Sequence, residues 1–395
     1  MSTPSLLTAK PEEVGLSSSR LGKLSEVLRA QVERSHIPGA VAIVSRNGKL
    51  AYHENFGVRD PNGREPMPKD AIFRIYSMSK AIVSVATMML WEEGKFLLNE
   101  PVSKYIPAFA GQKVLVQRDG TTDHVAVERE ATIQDLLRHT SGLTYEFRGT
   151  GPVHKAYMDA KVYRRSQTNA DQAEILGKLP LLHQPGTRWE YSRSTDVLGR
   201  LVEVISGQSL GAFLDERVLR PLGMSDSGFS VPEAQQGRIA EAFAKDPEGG
   251  TDVQLIEVRQ KPSFESGGGG MVATTLDYAR FLQMMLSGGV LDGTRLLARP
   301  TVGLMTADHL GSVAGSPDLL PPGYGFGLGF AVRTHAGIAS MPGAVGQYYW
   351  GGAAGTTFWV DPVERLYAVL MIQAPVQREF YRVMFRDMVY SAIAD

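Results

Sequence analysis

The chain contains no cysteine. This absence excludes disulfide bonds, thiolate metal sites and a cysteine nucleophile. The formal net charge is only -1 over 395 residues, and the lysines and arginines are spread evenly along the chain. A protein that binds DNA or RNA needs a clustered basic surface, so we expect no nucleic-acid partner.

The sequence also lacks a run of about 18 apolar residues, so we expect no membrane span. Its beginning has no positively charged segment followed by an apolar core, which argues against a secretory signal peptide. The eight histidines show no metal-binding spacing such as H-E-x-x-H, and we expect neither a metal nor a cofactor. These features predict a cytoplasmic location and leave the oligomeric state open.

The predicted secondary structure changes along the chain. The first part predicts a helix, then a hairpin at Asn47-Gly48 and a further strand. The middle predicts short helices separated by Gly and Pro, with one hairpin at Asp119-Gly120. The last third predicts four strands and a closing amphipathic helix. We therefore predict an α+β domain formed by residues 1–98 and 262–395, interrupted by a mainly helical insertion of residues 99–261.

The segment Ser77-Met78-Ser79-Lys80 follows a predicted strand and opens a helix that is apolar on nearly every side. A spacing of three places Ser77 and Lys80 on one face of that helix. The positive end of the helix dipole helps to stabilise an oxyanion near Ser77. The same field, together with burial, disfavours the charged form of Lys80, which can then take the serine proton near neutral pH.

Spacing alone does not identify a nucleophile, because on the order of one S-x-x-K arises by chance in a chain of this composition. The position of Lys80 adds weight. A lysine at the head of an apolar helix is costly unless it has a partner or a chemical role.

Two further segments share a pattern with Ser77 and Lys80. Tyr191-Ser192-Arg193 looks like a Y-x-N element, and Trp350-Gly351-Gly352 occupies the place of a K-T-G element. With these motifs the chain resembles the penicillin-recognising serine hydrolases, and above all the class C β-lactamase-like carboxylesterases called family VIII. The resemblance covers nearly the whole chain. It implies a β-lactamase/transpeptidase-like fold, in which an antiparallel sheet flanked by helices is joined to a mainly helical domain.

The resemblance also implies the chemistry. Ser77 attacks an ester carbonyl, while Lys80 and Tyr191 share the role of general base, and Tyr191 protonates the leaving alcohol. The backbone N–H groups of Ser77 and Ala353 form the oxyanion hole. Water then attacks the acyl-enzyme.

Two departures from the family pattern bear on the substrate. Trp350 stands where the β-lactamases have a lysine that can pair with a substrate carboxylate, which favours an uncharged ester. Glycines 351 and 352 allow this strand to approach the substrate closely. Arg193 stands in place of asparagine and cannot accept a hydrogen bond. It either points away from the site or selects a substrate with an acceptor group.

Other residues have simpler interpretations. Ser209 lies in a G-x-S-x-G sequence but follows a helix, so we interpret it as a helix N-cap. Gly267–Gly270 predicts a tight turn near the site, and His139 predicts a structural hydrogen bond. Tyr145 is a candidate for the acyl pocket. Asp196 and Glu203 lie on one predicted helix, and we interpret them as a solvated helix face and a cap.

The leading function from sequence is hydrolysis of esters with short acyl chains. A β-lactamase, a D-amino-acid peptidase, another amide hydrolase and an acyltransferase all use the same acyl-enzyme, so the motifs do not separate them. A sensor that acylates slowly without turnover is a further alternative. The expected partner is a small-molecule ester.

Overall fold

The structure is a computed structural model that describes residues 6–118, 121–313, 315 and 318–395. The helices are α1 Ser18–Glu33, α2 Ser79–Glu92, α3 Ile133–Leu137, α4 Pro152–Asp159, α5 Asn169–Lys178, α6 Ser194–Ser206, α7 Leu210–Leu214, α8 Arg220–Leu222, α9 Thr275–Leu286, α10 Arg299–Met305 and α11 Arg378–Ser391. The strands are β1 Gly39–Arg46, β2 Lys49–Gly57, β3 Ile72–Arg74, β4 Lys113–Arg118, β5 Thr121–Ala126, β6 Val272–Thr274, β7 Val290–Leu291, β8 Thr294–Arg295, β9 Tyr324–Phe326, β10 Ala331–Arg333, β11 Tyr348–Gly351, β12 Thr357–Asp361 and β13 Leu366–Ile372.

The largest sheet has seven strands in the order β2-β1-β13-β12-β11-β10-β9, and every neighbouring pair is antiparallel. Strands from the two ends of the chain therefore meet at its centre, where Ala40 pairs with Ile372. The predicted α+β class with an antiparallel sheet flanked by helices is confirmed.

Helices cover both faces of this sheet because its central strands are apolar on both sides. Along β1, Ala40, Ala42 and Val44 pack in a core with α1 and α11. The intervening Val41 and Ile43 pack in the larger core that contains α2 and α9. Side chains alternate across a strand with period two, so a continuous apolar run buries both faces.

The hairpin predicted at Asn47-Gly48 joins β1 to β2. Asn47 has a φ of 55° and Gly48 a φ of 77°, which are the positive values that a tight two-residue hairpin turn requires. A second predicted hairpin is formed by β4 and β5, although its turn residues, Asp119-Gly120, lie outside the described residues, as do residues 1–5.

A small antiparallel sheet brings two distant parts of the chain to one place. β3 pairs with β6, so that Phe73 lies opposite Ala273. Just beyond the pair, the Ile75 N–H donates to the Met271 carbonyl at 3.0 Å. The segment that follows β3 therefore lies beside the glycine-rich segment that precedes β6.

The segment between β3 and β6 carries helices α2 to α8, of which α6 packs against α2, α3, α5 and α7. A π-helical turn, Asp215–Leu219, separates α7 from α8. The domain limits at residues 98 and 262 stay a prediction.

Within the described ranges, no single helix is long and apolar enough to cross a membrane. Only α6 taken together with Leu210–Leu222 reaches that length, and this pair is bent by 79°.

Candidate active site

Ser77 lies in a single 3₁₀ turn, Tyr76–Met78, between β3 and α2. The sequence predicted Ser77 at the start of the helix itself, whereas it lies two residues before the first residue of α2. Tyr76 has a φ of 43°, a left-handed conformation that is strained for a residue with a side chain. Ser79 holds this turn, because its Oγ donates to the Tyr76 carbonyl at 2.6 Å and accepts from the Met271 N–H at 3.2 Å. The turn leaves the Ser77 side chain half-buried at the head of α2.

Lys80 is 1% exposed and directs its amino group at Ser77. Its Nζ lies 3.3 Å from Ser77 Oγ, 3.0 Å from the Tyr145 hydroxyl and 2.6 Å from the Gly268 carbonyl oxygen. It also lies over the Tyr191 ring, 4.5 Å from the centroid. Three polar atoms thus lie within hydrogen-bond distance of this one amino group. The lysine that opens an apolar helix thus has the partners that its burial requires.

The glycine-rich turn predicted near the site supplies one of those partners. Gly269 and Gly270 donate their N–H groups to the Ser266 carbonyl at 3.2 and 2.8 Å. A Cβ added at Gly268 would lie 2.9 Å from the Tyr145 hydroxyl and 3.0 Å from both Asp196 carboxylate oxygens. Any side chain there would push the turn away from Lys80.

Tyr145 and Tyr191 form an aromatic lining beside Lys80, with ring centroids 5.3 Å apart. Burial, with the neighbouring Tyr191 and Asp196, raises the pKa of Tyr145 well above its ordinary value, so this hydroxyl keeps its proton at neutral pH. The Tyr191 hydroxyl accepts a hydrogen bond from Trp350 Nε1 at 3.2 Å. The contact between Tyr145 and Lys80 was not predicted from sequence, which placed Tyr145 only in a pocket for the acyl group.

The Arg193 guanidinium lies in a buried cluster of charges. Its Nη2 lies 2.5 Å from Glu146 Oε1 and its Nη1 lies 3.2 Å from Asp196 Oδ2. Burial works to lower the pKa of Arg193, but the Asp196 and Glu146 carboxylates outweigh it and the pKa is raised. The guanidinium also lies over the Tyr145 ring, 4.7 Å from the centroid, and its role toward a substrate stays a prediction.

Asp196 connects this cluster to Lys80. Its Oδ1 accepts from the Gly268 N–H at 2.9 Å and from Ser266 Oγ at 2.5 Å, while the Gly268 carbonyl faces Lys80. The interpretation of Asp196 as part of a solvated helix face was wrong, since it is 2% exposed. This position of α6 is buried because α2 packs against the helix and the glycine turn binds the Asp196 carboxylate.

Trp350 and Gly351 form the end of β11, which packs against the turn that carries Ser77, and Gly352 follows directly after the strand. A Cβ at Gly352 would lie 2.4 Å from the Ile75 carbonyl oxygen, so only glycine allows this contact. Ala353, the predicted second donor of an oxyanion hole, follows directly and is exposed. The structure thus brings Ser77 and the 350–353 segment to the same place.

Two other sequence interpretations are confirmed. Ser209 caps α7, with its side chain accepting from the Ala212 N–H at 3.2 Å. His139 is buried, and its Nδ1 lies 3.1 Å from Ser192 Oγ. Burial, helped by the charge of Lys80, holds the pKa of His139 well below its usual range, so the imidazole is neutral.

Sequence reasoning missed Glu146, Arg382 and the true position of Asp196. The spacing of three between Arg193 and Asp196 is an ion-pair signal that was available. Glu146 and Arg382 lie 47 and 30 residues from their partners Arg193 and Gly352, and no local pattern marks them. Among the described residues, no group of three or more His, Asp or Glu side chains could hold a metal ion.

Comparison with known proteins identifies the family of this chain. The sequence model of the Beta-lactamase family matches residues 24–389. An uncharacterized protein of Mycobacterium tuberculosis is 37% identical over 358 residues, which cover 88% of each chain. Esterase EstB of Burkholderia gladioli is 30% identical over 399 residues, covering 95% of this chain and 96% of its own.

Among solved structures, EstCE1, described as a hydrolase with promiscuous acyltransferase activity, superposes with a TM-score of 0.78. It is 27% identical, and the match covers 94% of this chain and 99% of that one. A penicillin-binding protein homologue from Pyrococcus abyssi shares the fold, with a TM-score of 0.67. The chain therefore has the β-lactamase/transpeptidase-like fold and belongs to the Beta-lactamase family of serine hydrolases.

Proposed function

We propose that the protein is a carboxylesterase that hydrolyses esters with short acyl chains through an acyl-enzyme on Ser77. The observation that carries the proposal is the 3.3 Å separation of Lys80 Nζ from the half-buried Ser77 Oγ. A nucleophile and its base must lie within hydrogen-bond reach, and this distance often tightens when substrate binds. The 30% identity to esterase EstB supports the choice of ester over amide.

The reaction has two steps. In the first, Ser77 Oγ forms a bond to the ester carbonyl carbon. Its one proton passes to the general base, a role that Lys80 and Tyr191 share. The bond from that carbon to the alcohol oxygen then breaks, and Tyr191 returns the proton to the departing alcohol. In the second step a water molecule attacks the acyl group by the reverse proton path, releasing the acid and free Ser77.

The negative oxygen formed in each step is stabilised by the N–H groups of Ser77 and Ala353. Ser77 lies in the 3₁₀ turn directly before α2, at the end of the helix where backbone N–H groups and the helix dipole favour negative charge. No described residue accepts a hydrogen bond from the Ala353 N–H, so this donor is open to a ligand.

The lining favours an uncharged, apolar substrate. Trp350 brings no charge, and Arg193 is neutralised by two carboxylates. Phe147, which is 67% exposed, stacks on Tyr145 with ring centroids 4.8 Å apart. This ring extends the aromatic surface outward from Lys80, where an apolar group can pack against it.

The test compares steady-state rates on p-nitrophenyl esters of increasing acyl length with rates on a chromogenic cephalosporin. We expect efficient ester cleavage that falls as the acyl chain lengthens. Ser77→Ala should abolish it, because the nucleophile contributes several orders of magnitude, and mass spectrometry should find the acyl group on Ser77. Ser209→Ala is the matched control and should keep wild-type turnover.

Other outcomes would replace the proposal. Cephalosporin turnover with negligible ester cleavage would identify a β-lactamase. Loss of activity in Ser209→Ala with survival in Ser77→Ala would move the nucleophile. A burst of one product equivalent without turnover would identify a slow-acylating sensor.

Acyl transfer is a second candidate, favoured by the likeness to EstCE1 and by the exposed ring of Phe147, on which an acceptor alcohol can pack. Adding an alcohol acceptor to the ester assay should then produce a new ester faster than it releases acid. If acid release predominates at every acceptor concentration, the protein is a hydrolase alone.

A further inference from the structure

Arg382, on α11, lies against the end of β11 in a way that the motifs do not explain. Its Nη2 donates to the Gly352 carbonyl oxygen at 2.5 Å. A Cβ added at Gly351 would lie 2.7 Å from the guanidinium carbon and from two of its nitrogens. The bare backbone of Gly351 is therefore what admits the guanidinium group to this position.

The Gly352 carbonyl and the Ala353 N–H belong to one planar peptide unit. A donor that fixes the carbonyl oxygen also fixes the direction of the N–H at the other end. A charged donor further polarises the amide, because hydrogen bonds in a chain strengthen one another. Such polarisation increases the positive charge on the Ala353 N–H.

The same carbonyl oxygen accepts a second hydrogen bond, from the Gly355 N–H at 3.1 Å. Gly352 itself donates its N–H to the Thr356 carbonyl at 2.8 Å. The turn is thus closed by its own backbone without Arg382. What Arg382 adds is a cationic donor on an oxygen that is already satisfied.

The charge of Arg382 is only partly balanced. Its Nη1 lies 2.6 Å from Glu379 Oε1, but Glu379 is 67% exposed and water screens its charge, whereas Arg382 is 18% exposed. The Arg382 Nε is buried and, among the described residues, has no hydrogen-bond partner. A net positive charge therefore remains beside the 350–353 segment.

We propose that Arg382 is a positioning residue of the oxyanion hole, which orients and polarises the Gly352–Ala353 peptide so that the Ala353 N–H stabilises the transition state. This inference rests on the proposed acyl-enzyme mechanism. Arg382 lies on a helix outside the three motifs, and through the Gly352–Ala353 peptide it affects the rate of acylation.

The test measures acylation of the full-length protein by p-nitrophenyl butyrate in Arg382→Met and Arg382→Lys. Removing a direct oxyanion donor costs about 100- to 1000-fold in rate, and removing its positioning partner should cost less. For Arg382→Met we expect acylation to slow by about 10- to 100-fold with little change in KM. Arg382→Lys keeps a cationic donor and should recover most of the lost rate.

Arg378→Met is the matched control. Arg378 lies one turn earlier on α11, and its Nη1 is 3.5 Å from the Ala353 carbonyl oxygen, which belongs to the following peptide. This variant should retain the wild-type acylation rate. Gly351→Ala provides a second route, since its methyl group displaces the guanidinium without removing the charge, and it should reproduce the defect of Arg382→Met.

Inhibitor affinity separates this role from a structural one. A boronic acid that forms a tetrahedral adduct with Ser77 should bind Arg382→Met more weakly, by the same factor as the loss in kcat/KM. An uncharged alcohol, which forms no adduct and carries no charge, should bind all variants equally. Equal losses for both inhibitors, or unchanged acylation in Arg382→Met, would overturn the role of Arg382. Absence of an acylated Ser77 in the wild-type protein would instead overturn the mechanism itself.

Discussion

Two arginines flank the site, and their surroundings differ. Arg193 is enclosed by the carboxylates of Glu146 and Asp196, both buried. Arg382 contacts a backbone carbonyl and one largely exposed carboxylate, that of Glu379. The first cluster carries an excess of negative charge and the second an excess of positive charge. The acids thus lie on the side of Lys80, and the cation lies beside the Gly352–Ala353 peptide.

This difference separates structural from electrostatic roles. A buried cation with two acids is costly to break, because removing one partner leaves an uncompensated charge. A cation on a carbonyl that has a second donor can be removed with less harm to the fold. We therefore expect variants near Arg193 to lose stability and variants near Arg382 to lose rate.

The largest expected effect is that of Asp196→Ala. It leaves Arg193 with one carboxylate and the Gly268 N–H without its acceptor, so we expect a loss of about 3 to 5 kcal/mol in the free energy of unfolding. Turnover of the remaining folded protein should also fall, because the Gly268 carbonyl that holds Lys80 is no longer fixed. Urea unfolding and ester hydrolysis measure the two effects.

Glu203→Ala is the control for this prediction. Glu203 lies on the same helix, with partners in the partly exposed Arg200 and in the Leu210 N–H, and its removal should cost about 1 kcal/mol. An Asp196→Ala protein as stable as Glu203→Ala would remove the distinction between the two arginines.

A smaller effect should follow acidification. Asp135 accepts hydrogen bonds from Arg129 and Thr140 at the start of the segment that leads to Tyr145. Burial works to raise the pKa of Asp135, but these bonds and that of Thr132 lower it from 3.8 to about 2. The folded-state pKa is thus below the unfolded one, so this stability is complete above about pH 4 and is lost as the pH falls through the folded pKa.

The loss should reach about 2 kcal/mol between pH 4 and pH 2, measured by urea unfolding at each pH. Asp135→Asn should be less stable at pH 7 by a similar amount and should lack this part of the acid dependence. Parallel pH curves for the two proteins would contradict the assignment.

The smallest effect is expected for Trp350→Phe. The aromatic contact with Tyr191 is kept, but the Tyr191 hydroxyl loses the donor Nε1, a bond worth about 1 kcal/mol. We expect kcat for ester hydrolysis to fall about fivefold. Trp359→Phe is the control, because the Trp359 Nε1 has no hydrogen-bond partner among the described residues. The Trp359 side chain packs on the other face of the sheet. This variant should leave kcat unchanged, and equal losses in both variants would deny the Trp350 bond a role.

The sequence predicted the parts of the site that lie within local patterns. The spacing of Ser77 and Lys80, the glycine turn and the Ser209 cap follow from helix and turn geometry, and the structure places them accordingly. Asp196 was assigned to solvent because its helix shows a polar position there, and only the packing of α6 against the glycine turn explains its burial. Arg382 could not be found, since its partner lies on a strand that meets α11 only in the folded chain.

Lys80 binds Tyr145, 65 residues away, and Gly268, 188 residues away. Contacts of such long range require the intervening chain to bring distant residues together, at a cost in loop-closure entropy. No fragment that ends before residue 268 can complete the surroundings of this lysine. Ester turnover is therefore a readout of the folded state of nearly the whole chain, which makes it a sensitive assay for refolding.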